Sequence, residues 1–386
     1  MKHPERVRII GALTGDIERE PGAQVKYGHF FNALEARFSI VGVFDASLKG
    51  TDRIINMLQT FHPQKRVWRE RYYKNLQAFD TRSRRISRRI AQVQKEADLI
   101  LQLGVLFHSL EQEVNLPAII YTDYTARLSA ERPESGRSPL TTAQLQSWLE
   151  KEKRVYNNAA HIFTRSKLVC RSILDEYGLP PERVSVVGGG VNYSALPELS
   201  PEVPHKEPTA LFIGKDLYRK GGDLVLRAFA RARQSVPAAR LLLLTAGPIP
   251  ESLPLEGVEW IQPTWDRTAI SGLYRQAHFF VLPSRLETWG DVLLEAMSHG
   301  LACIGVCGQA MEEIIEHERT GLVVQPDDEE ALAASLVRLF ANPALCENMG
   351  REARKRVEQE FTWERVVDRM EPVLRKAALG SGEPVG

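Results

Sequence analysis

The sequence predicts an α/β protein made of two doubly wound, parallel-sheet domains in series. Three observations predict it. Short apolar strands alternate with helical stretches along most of the chain, the pattern of parallel strands joined by helical crossovers and buried on both faces. A glycine-bearing loop follows the first strand of each half, as at the opening of a doubly wound sheet. A proline-bearing segment, residues 197–208, interrupts the alternation once and reads as a linker. The 386 residues suit two domains at roughly 100–200 residues each, and a hydrophobic share of 43% is enough for more than one core.

In the first half, residues 7–11 read as a strand, 14–22 as a polar loop, 27–36 as a helix and 39–43 as the second strand. Further strands are expected at 99–102, 118–121, 161–164 and 184–187, with helices at 142–157 and 167–177. Gly178 and Pro180 stop the latter helix. The second half restarts with a strand at 210–213 and a helix at 222–234. Strands at 241–245 and 258–261, a helix at 269–276 and a strand at 279–282 follow. The alternation then runs through a helix at 292–299, a strand at 302–305, a helix at 311–316, a strand at 321–324 and a helix at 329–340. Such sheets bind ligands at the carboxyl ends of their strands. Two of them, 1–196 and 197–361, predict a cleft suited to small-molecule chemistry.

Composition narrows the function classes. A net charge of +1 makes the whole chain no trap for nucleic acid, and none is expected as a partner. Cys170, Cys303, Cys307 and Cys346 form no Cys-x-x-Cys pair and no zinc set, and read as buried thiols in a reducing compartment. The N-terminus lacks the apolar stretch of a signal peptide, and no apolar run approaches the ~20 residues of a membrane span. These features predict a cytoplasmic protein, or one peripheral to the inner face of a membrane.

The chemistry concentrates in LPSRLETWGDVLLEAMSHG, residues 282–300. Gly290 lets the backbone turn after a strand, Asp291 is a candidate cap, and the free amides of the helix that starts there attract anions such as a diphosphate. Glu287 precedes that helix and Glu295 lies inside it. Carboxylates only accept hydrogen bonds, so the two suit vicinal hydroxyls on two parts of one ligand. Isolated, they would be a capping acid and a surface residue. A second stretch, LFIGKDLYRKGG at 211–222, places Gly214 after a strand and Lys215 and Lys220 before a helix, a spacing that suits paired phosphates.

The 282–300 stretch resembles the Glu-x7-Glu motif of the retaining GT-B glycosyltransferases of family 4, with Trp289 in place of the usual Phe and Ser298 in place of Ala. The 211–222 stretch resembles the family's Gly-Arg-x4-Lys-Gly motif, with Lys215 in place of Arg, which keeps a charge but loses the bidentate fork. Residues 160–166, 186–192, 321–327 and 361–364 are similar to further family segments. The resemblance implies a GT-B fold of two Rossmann-like domains, with 362–386 carrying a last helix that crosses back to the first domain. It implies Glu287 on the donor sugar, Glu295 on the donor ribose, and Lys215 and Lys220 on the donor diphosphate. The donor would be a nucleotide diphosphate sugar, UDP- or GDP-linked, and the acceptor a glycan, lipid-linked or small-molecule hydroxyl. No further cofactor is implied. No Asp-x-Asp sequence occurs, so no metal site is expected, and lysines and helix N-termini would carry that charge. An epimerase of the same fold, or a non-catalytic sugar-nucleotide or polyanion binder, are the alternatives.

The first half departs from the family. Gly22 is the candidate for a glycine loop that approaches the donor phosphate. Where the family often places a His facing the donor sugar, this chain has Asp123 and Tyr124, the acceptor-side candidates; His108 is nearest in type and reads as structural. Residues 65–95 interleave eleven Lys or Arg with Trp68, Tyr72, Tyr73 and Phe79 against only Glu70 and Asp80. That pattern suits an anionic membrane surface or acceptor, or a solvated helical face that also packs aromatics.

Overall fold

The computed structural model describes residues 6–111, 113–131, 140–199 and 207–380. It divides into two compact units: 1–188 with 363–386, and 189–362. The first break thus falls after Gly188, ahead of the proline-bearing segment; Pro201 and Pro204 of that segment lie outside the described residues.

Unit 1 runs β1 (Arg8–Leu13), α1 (Pro21–Glu35), β2 (Ser39–Asp45), α2 (Gly50–Gln59), α3 (Lys65–Tyr73), α4 (Leu76–Val93), β3 (Leu99–Leu103), β4 (Ala118–Thr122), α5 (Ala126–Ala130), α6 (Thr142–Asn158), β5 (His161–Thr164), α7 (Lys167–Tyr177) and β6 (Val184–Val186). The strands form one parallel sheet in the order β2-β1-β3-β4-β5-β6. Alternate side chains of each strand enter different cores, as pleating requires. Ile9, Leu99, Leu101, Ile119, Tyr121 and Phe163 pack on one face with Phe30 and Phe31 of α1. Ile10 and Ile100 pack with Ile86 and Ile90 of α4, and Ile120 and Ile162 with Trp148 of α6 and Ile173 of α7.

Local chemistry sets the helix ends. A reciprocal pair of side-chain bonds between Thr141 and Gln144 starts α6. Ser166 caps α7, and left-handed Gly178 ends it.

Unit 2 runs β7 (Thr209–Ile213), α8 (Gly222–Ser235), β8 (Arg240–Leu244), β9 (Val258–Ile261), α9 (Arg267–Gln276), β10 (Phe279–Val281), α10 (Asp291–Ser298), β11 (Ala302–Val306), α11 (Met311–Ile314), β12 (Gly321–Val324), α12 (Glu329–Phe340) and α13 (Pro343–Glu360). Its parallel sheet has the order β12-β11-β10-β7-β8-β9. Helices α8 and α12 pack together, as do α10 and α13. Buried residues of the sheet and helices form one continuous core.

The chain then returns to unit 1 as α14 (Trp363–Leu379). Trp363, Val366, Val367, Met370 and Leu374 complete the core of α1 and β1, with Trp363 5.1 Å from Phe30 between ring centroids. Arg369 Nε donates to the Val187 carbonyl at 2.7 Å, and Arg37 pairs with Asp368 and with Glu371.

Candidate functional site

In a doubly wound sheet the crevice opens where strand order reverses. In unit 2 that point lies between β7 and β10, since the chain builds β7, β8 and β9 outward and then returns to β10 on the other side of β7. The loops leaving these two strands carry the lysine and glutamate motifs.

The lysine loop, residues 214–221, is a compact turn. The Lys220 amide donates to the Asp216 carbonyl at 3.0 Å and the Gly222 amide to that of Leu217 at 2.7 Å. Gly221 caps α8 with φ +75°, and a Cβ there would stand 2.1 Å from the Pro283 carbonyl oxygen. The two loops therefore meet backbone to backbone, which only glycine permits. Gly214 works alike: its Cβ would fall 2.7 Å from Cβ of Lys220.

In the glutamate loop, the Glu287 amide donates to Gln309 Oε1 at 3.0 Å, and its carbonyl accepts from the Ala310 amide at 3.1 Å. With the backbone pinned, the carboxylate takes the Lys220 ammonium and the Ser284 hydroxyl, the latter at 3.3 Å. The Lys220 and Glu287 side chains keep only 15% and 11% of their surface exposed. The structure thus unites a cation and a carboxylate that lie 67 positions apart.

Arg285 fastens the loops together. It donates to both Asp223 carboxylate oxygens at 2.7 and 3.1 Å, to the Tyr218 carbonyl at 2.5 Å and to Asp327 at 2.7 Å. Burial would push the Asp223 carboxyl up, but the hydrogen bonds and charge of Arg285, with Arg227, hold it below the ordinary aspartate value. Arg285, Asp223, Ser284 and Gln309 received no role from the sequence. Arg285 lies inside the 282–300 stretch, yet its fork to Asp223 spans 62 positions and has no local signature.

Other expected residues lie differently. Lys215 Nζ sits 3.8 Å from the ring centroid of Trp265, a cation–π contact. Gly290, at φ +152°, takes the cap position of α10, so Asp291 is the first helical residue rather than the cap. Glu295 is buried inside α10, ion-paired with Arg267 at 3.1 Å and accepting from the Tyr274 hydroxyl at 3.3 Å. Burial raises its carboxyl, and Arg267 opposes that rise.

In unit 1, Gly22 belongs to the first turn of α1 rather than to a loop, because Pro21 already starts the helix. The glycine that turns the chain after β1 is Gly15, at φ +117°, whose amide donates to Asp45 and Ser47. After β4, Asp123 pairs with Lys26 at 3.1 Å, and the Tyr124 hydroxyl accepts from Lys74 at 2.5 Å. His108 is buried, which pushes its imidazole down to about 4 and keeps it neutral. Arg82 is also buried, donating to the Tyr72 and Tyr73 carbonyls, so the basic stretch is part packing and part surface. Among the described residues, no group of three or more His, Cys, Asp or Glu is placed to hold a metal ion.

Residues 199–356 match the family model of glycosyl transferases group 1. The chain is 27% identical over 267 residues to the alpha-maltose-1-phosphate synthase of Mycolicibacterium smegmatis, covering 61% of this chain and 67% of that one. It is 26% identical over 253 residues to the D-inositol 3-phosphate glycosyltransferase of Thermobispora bispora, covering 58% of each. The match to the Mycobacterium tuberculosis glycogen synthase likewise spans only 58% of that relative. Among solved structures, the sucrose-phosphate synthase of Thermosynechococcus elongatus aligns with TM-score 0.70 and 20% identity over 97% of this chain and 100% of that one. Anabaena HepE in complex with UDP-glucose aligns with TM-score 0.64 and 14% identity over 96% and 99%. These likenesses show the GT-B fold for the chain.

Proposed function

We propose that this chain, whose residues 199–356 form a glycosyl transferases group 1 domain on a GT-B fold, moves a sugar from a nucleotide diphosphate sugar to an acceptor hydroxyl. The observation that carries the reading is the part-buried Lys220–Glu287 pair at the strand-order reversal of unit 2. A diphosphate there meets the Lys220 ammonium beside the N-terminus of α10, and both favour the charge that develops on a departing diphosphate. Glu287, released from Lys220 when the phosphate takes that cation, accepts from hydroxyls of the donor sugar. Lys215 turns from Trp265 to the same diphosphate, and Glu295 meets the donor ribose by exchanging part of its contact with Arg267.

The transfer runs with retention, the acceptor attacking on the face the diphosphate leaves and a phosphate oxygen taking its proton. The new bond joins acceptor oxygen to the anomeric carbon, and the bond to the diphosphate oxygen breaks. No metal is needed, because Lys220 and the helix amides carry the positive charge. UDP- and GDP-sugars are the donors to try, with glycan, lipid-linked or small-molecule acceptors and Asp123 and Tyr124 as the acceptor-side residues. No observation favours an epimerase or a non-catalytic binder.

The test is turnover of a panel of nucleotide diphosphate sugars in the presence of chelator, with the anomeric configuration of the product read by NMR. Glu287→Ala should keep its fold and lose about 100-fold or more in turnover. Undiminished turnover in Glu287→Ala, an inverted product, or activity abolished by the chelator would each overturn the corresponding part of the proposal.

A further inference from the structure

Unit 1 carries a cluster of exposed apolar side chains on and just after α2. Helix α2 turns almost all of its length to solvent, with Asn56 its sole buried residue. Ile54 is 58% exposed and Leu58 73%, one helical turn apart on one stripe, and Phe61 just beyond the helix is 62% exposed. Ile55, next to Ile54, is exposed as well. Folding normally buries such a stripe.

This surface is held firmly. The Trp68 indole of α3 donates to the Met57 carbonyl at 3.1 Å, and its ring lies 5.6 Å from that of Phe61. Asn56 donates to the Tyr72 carbonyl at 3.0 Å and accepts from Asn75 at 2.9 Å. Helices α2 and α3 therefore form a braced hairpin whose outer apolar side chains stand out from it.

Charge identifies the occupant. Between residues 50 and 74 the sequence carries six Lys or Arg against Asp52 and Glu70. Arg53, Lys65, Arg69 and Arg71 are exposed. Single protruding aliphatic and aromatic side chains bordered by cations match the boundary between acyl chains and anionic headgroups. No described helix is long and apolar enough to cross a membrane, so the contact would be peripheral.

We propose that the α2–α3 hairpin docks on an anionic lipid bilayer, with Ile54, Ile55, Leu58 and Phe61 entering the headgroup boundary and Arg53, Lys65, Arg69 and Arg71 meeting lipid phosphates. This places the membrane-facing element ahead of most of the basic 65–95 stretch, on an apolar face that charge patterning alone does not reveal. It stands independently of the transferase reading.

The test is flotation of the full chain with vesicles of phosphatidylcholine alone and of phosphatidylcholine with phosphatidylglycerol. The chain should float only with the anionic vesicles and release in high salt. Ile54→Ser with Leu58→Ser should lower binding at least about ten-fold, as should Arg69→Glu with Arg71→Glu, both with unchanged Tm. The absence of flotation with anionic vesicles, or flotation undiminished by the serine pair, would overturn the proposal. So would sedimentation of the wild type as a dimer that the serine pair dissociates, since the face would then belong to a second copy.

Discussion

At Gly221 the absence of one side chain lets two loops meet. A Cβ there would lie 2.1 Å from the Pro283 carbonyl oxygen, at φ +75°. Gly221→Ala should therefore destabilise unit 2 by more than about 2 kcal/mol, measured by denaturant unfolding, and should weaken nucleotide binding by displacing Lys220. Unchanged stability would mean that the two loops are not packed as described. The lysine and glutamate motifs were legible in the sequence because each is local. Their pairing was not, because the Lys220–Glu287 contact joins loops after strands that are neighbours only in the sheet. Residue type points to Asp291 as the cap of α10, yet Gly290, at φ +152°, holds that position.

Two elements should show themselves through pH. Asp223 at the start of α8 holds its low carboxyl value through Arg285, so its contribution to stability is complete above the ordinary 3.8 and is lost as pH falls below it. Arg285→Ala should lower Tm most near neutral pH, and the gap to wild type should close as pH falls below 3.8. A gap constant with pH would contradict this. Glu152 of α6 has the opposite sign. Burial raises it to about 7, against hydrogen bonds from Tyr177, the Ala126 amide and Tyr156. The folded state thus holds the proton more tightly than the unfolded chain, and stability falls as pH rises from 4.5 to about 7. Glu152→Gln should flatten that slope in a Tm–pH profile. Most strands and several helices matched the alternation to within a residue or two. Helices α2, α3, α4, α5 and α13 lack a clear period in the sequence: α2 turns Ile54, Ile55 and Leu58 outward, α4 buries Arg82, Ser83 and Ser87, α5 has only five residues, and the buried face of α13 includes Gly350 and Ala353.

For the whole molecule, the chain passes between the two units after Gly188 and again after Thr362. Unit 1 is discontinuous, closing its core with α14 after the complete unit 2. Aromatic packing sets this return: Trp363 lies against Phe30 and Tyr121, with the Arg165 guanidinium 5.4 Å from the Trp363 ring. The break falls inside the 186–192 segment that resembles a family turn, ahead of the prolines that read as the linker. The residues after β4 were the least legible part. Asp123 and Tyr124 engage Lys26 and Lys74 from α1 and the end of α3, partners that no spacing indicates.

The central claim is that Lys220 holds the diphosphate of a nucleotide sugar. It is tested most directly by thermal shift of the full chain against UDP, GDP, ADP and TDP and their sugar conjugates, in chelator. A ligand that binds only the folded state raises Tm in step with its affinity. The account predicts a clear rise with one nucleotide family in the wild type and none in folded Lys220→Ala. No rise with any of them, or a rise that Lys220→Ala retains in full, would contradict it.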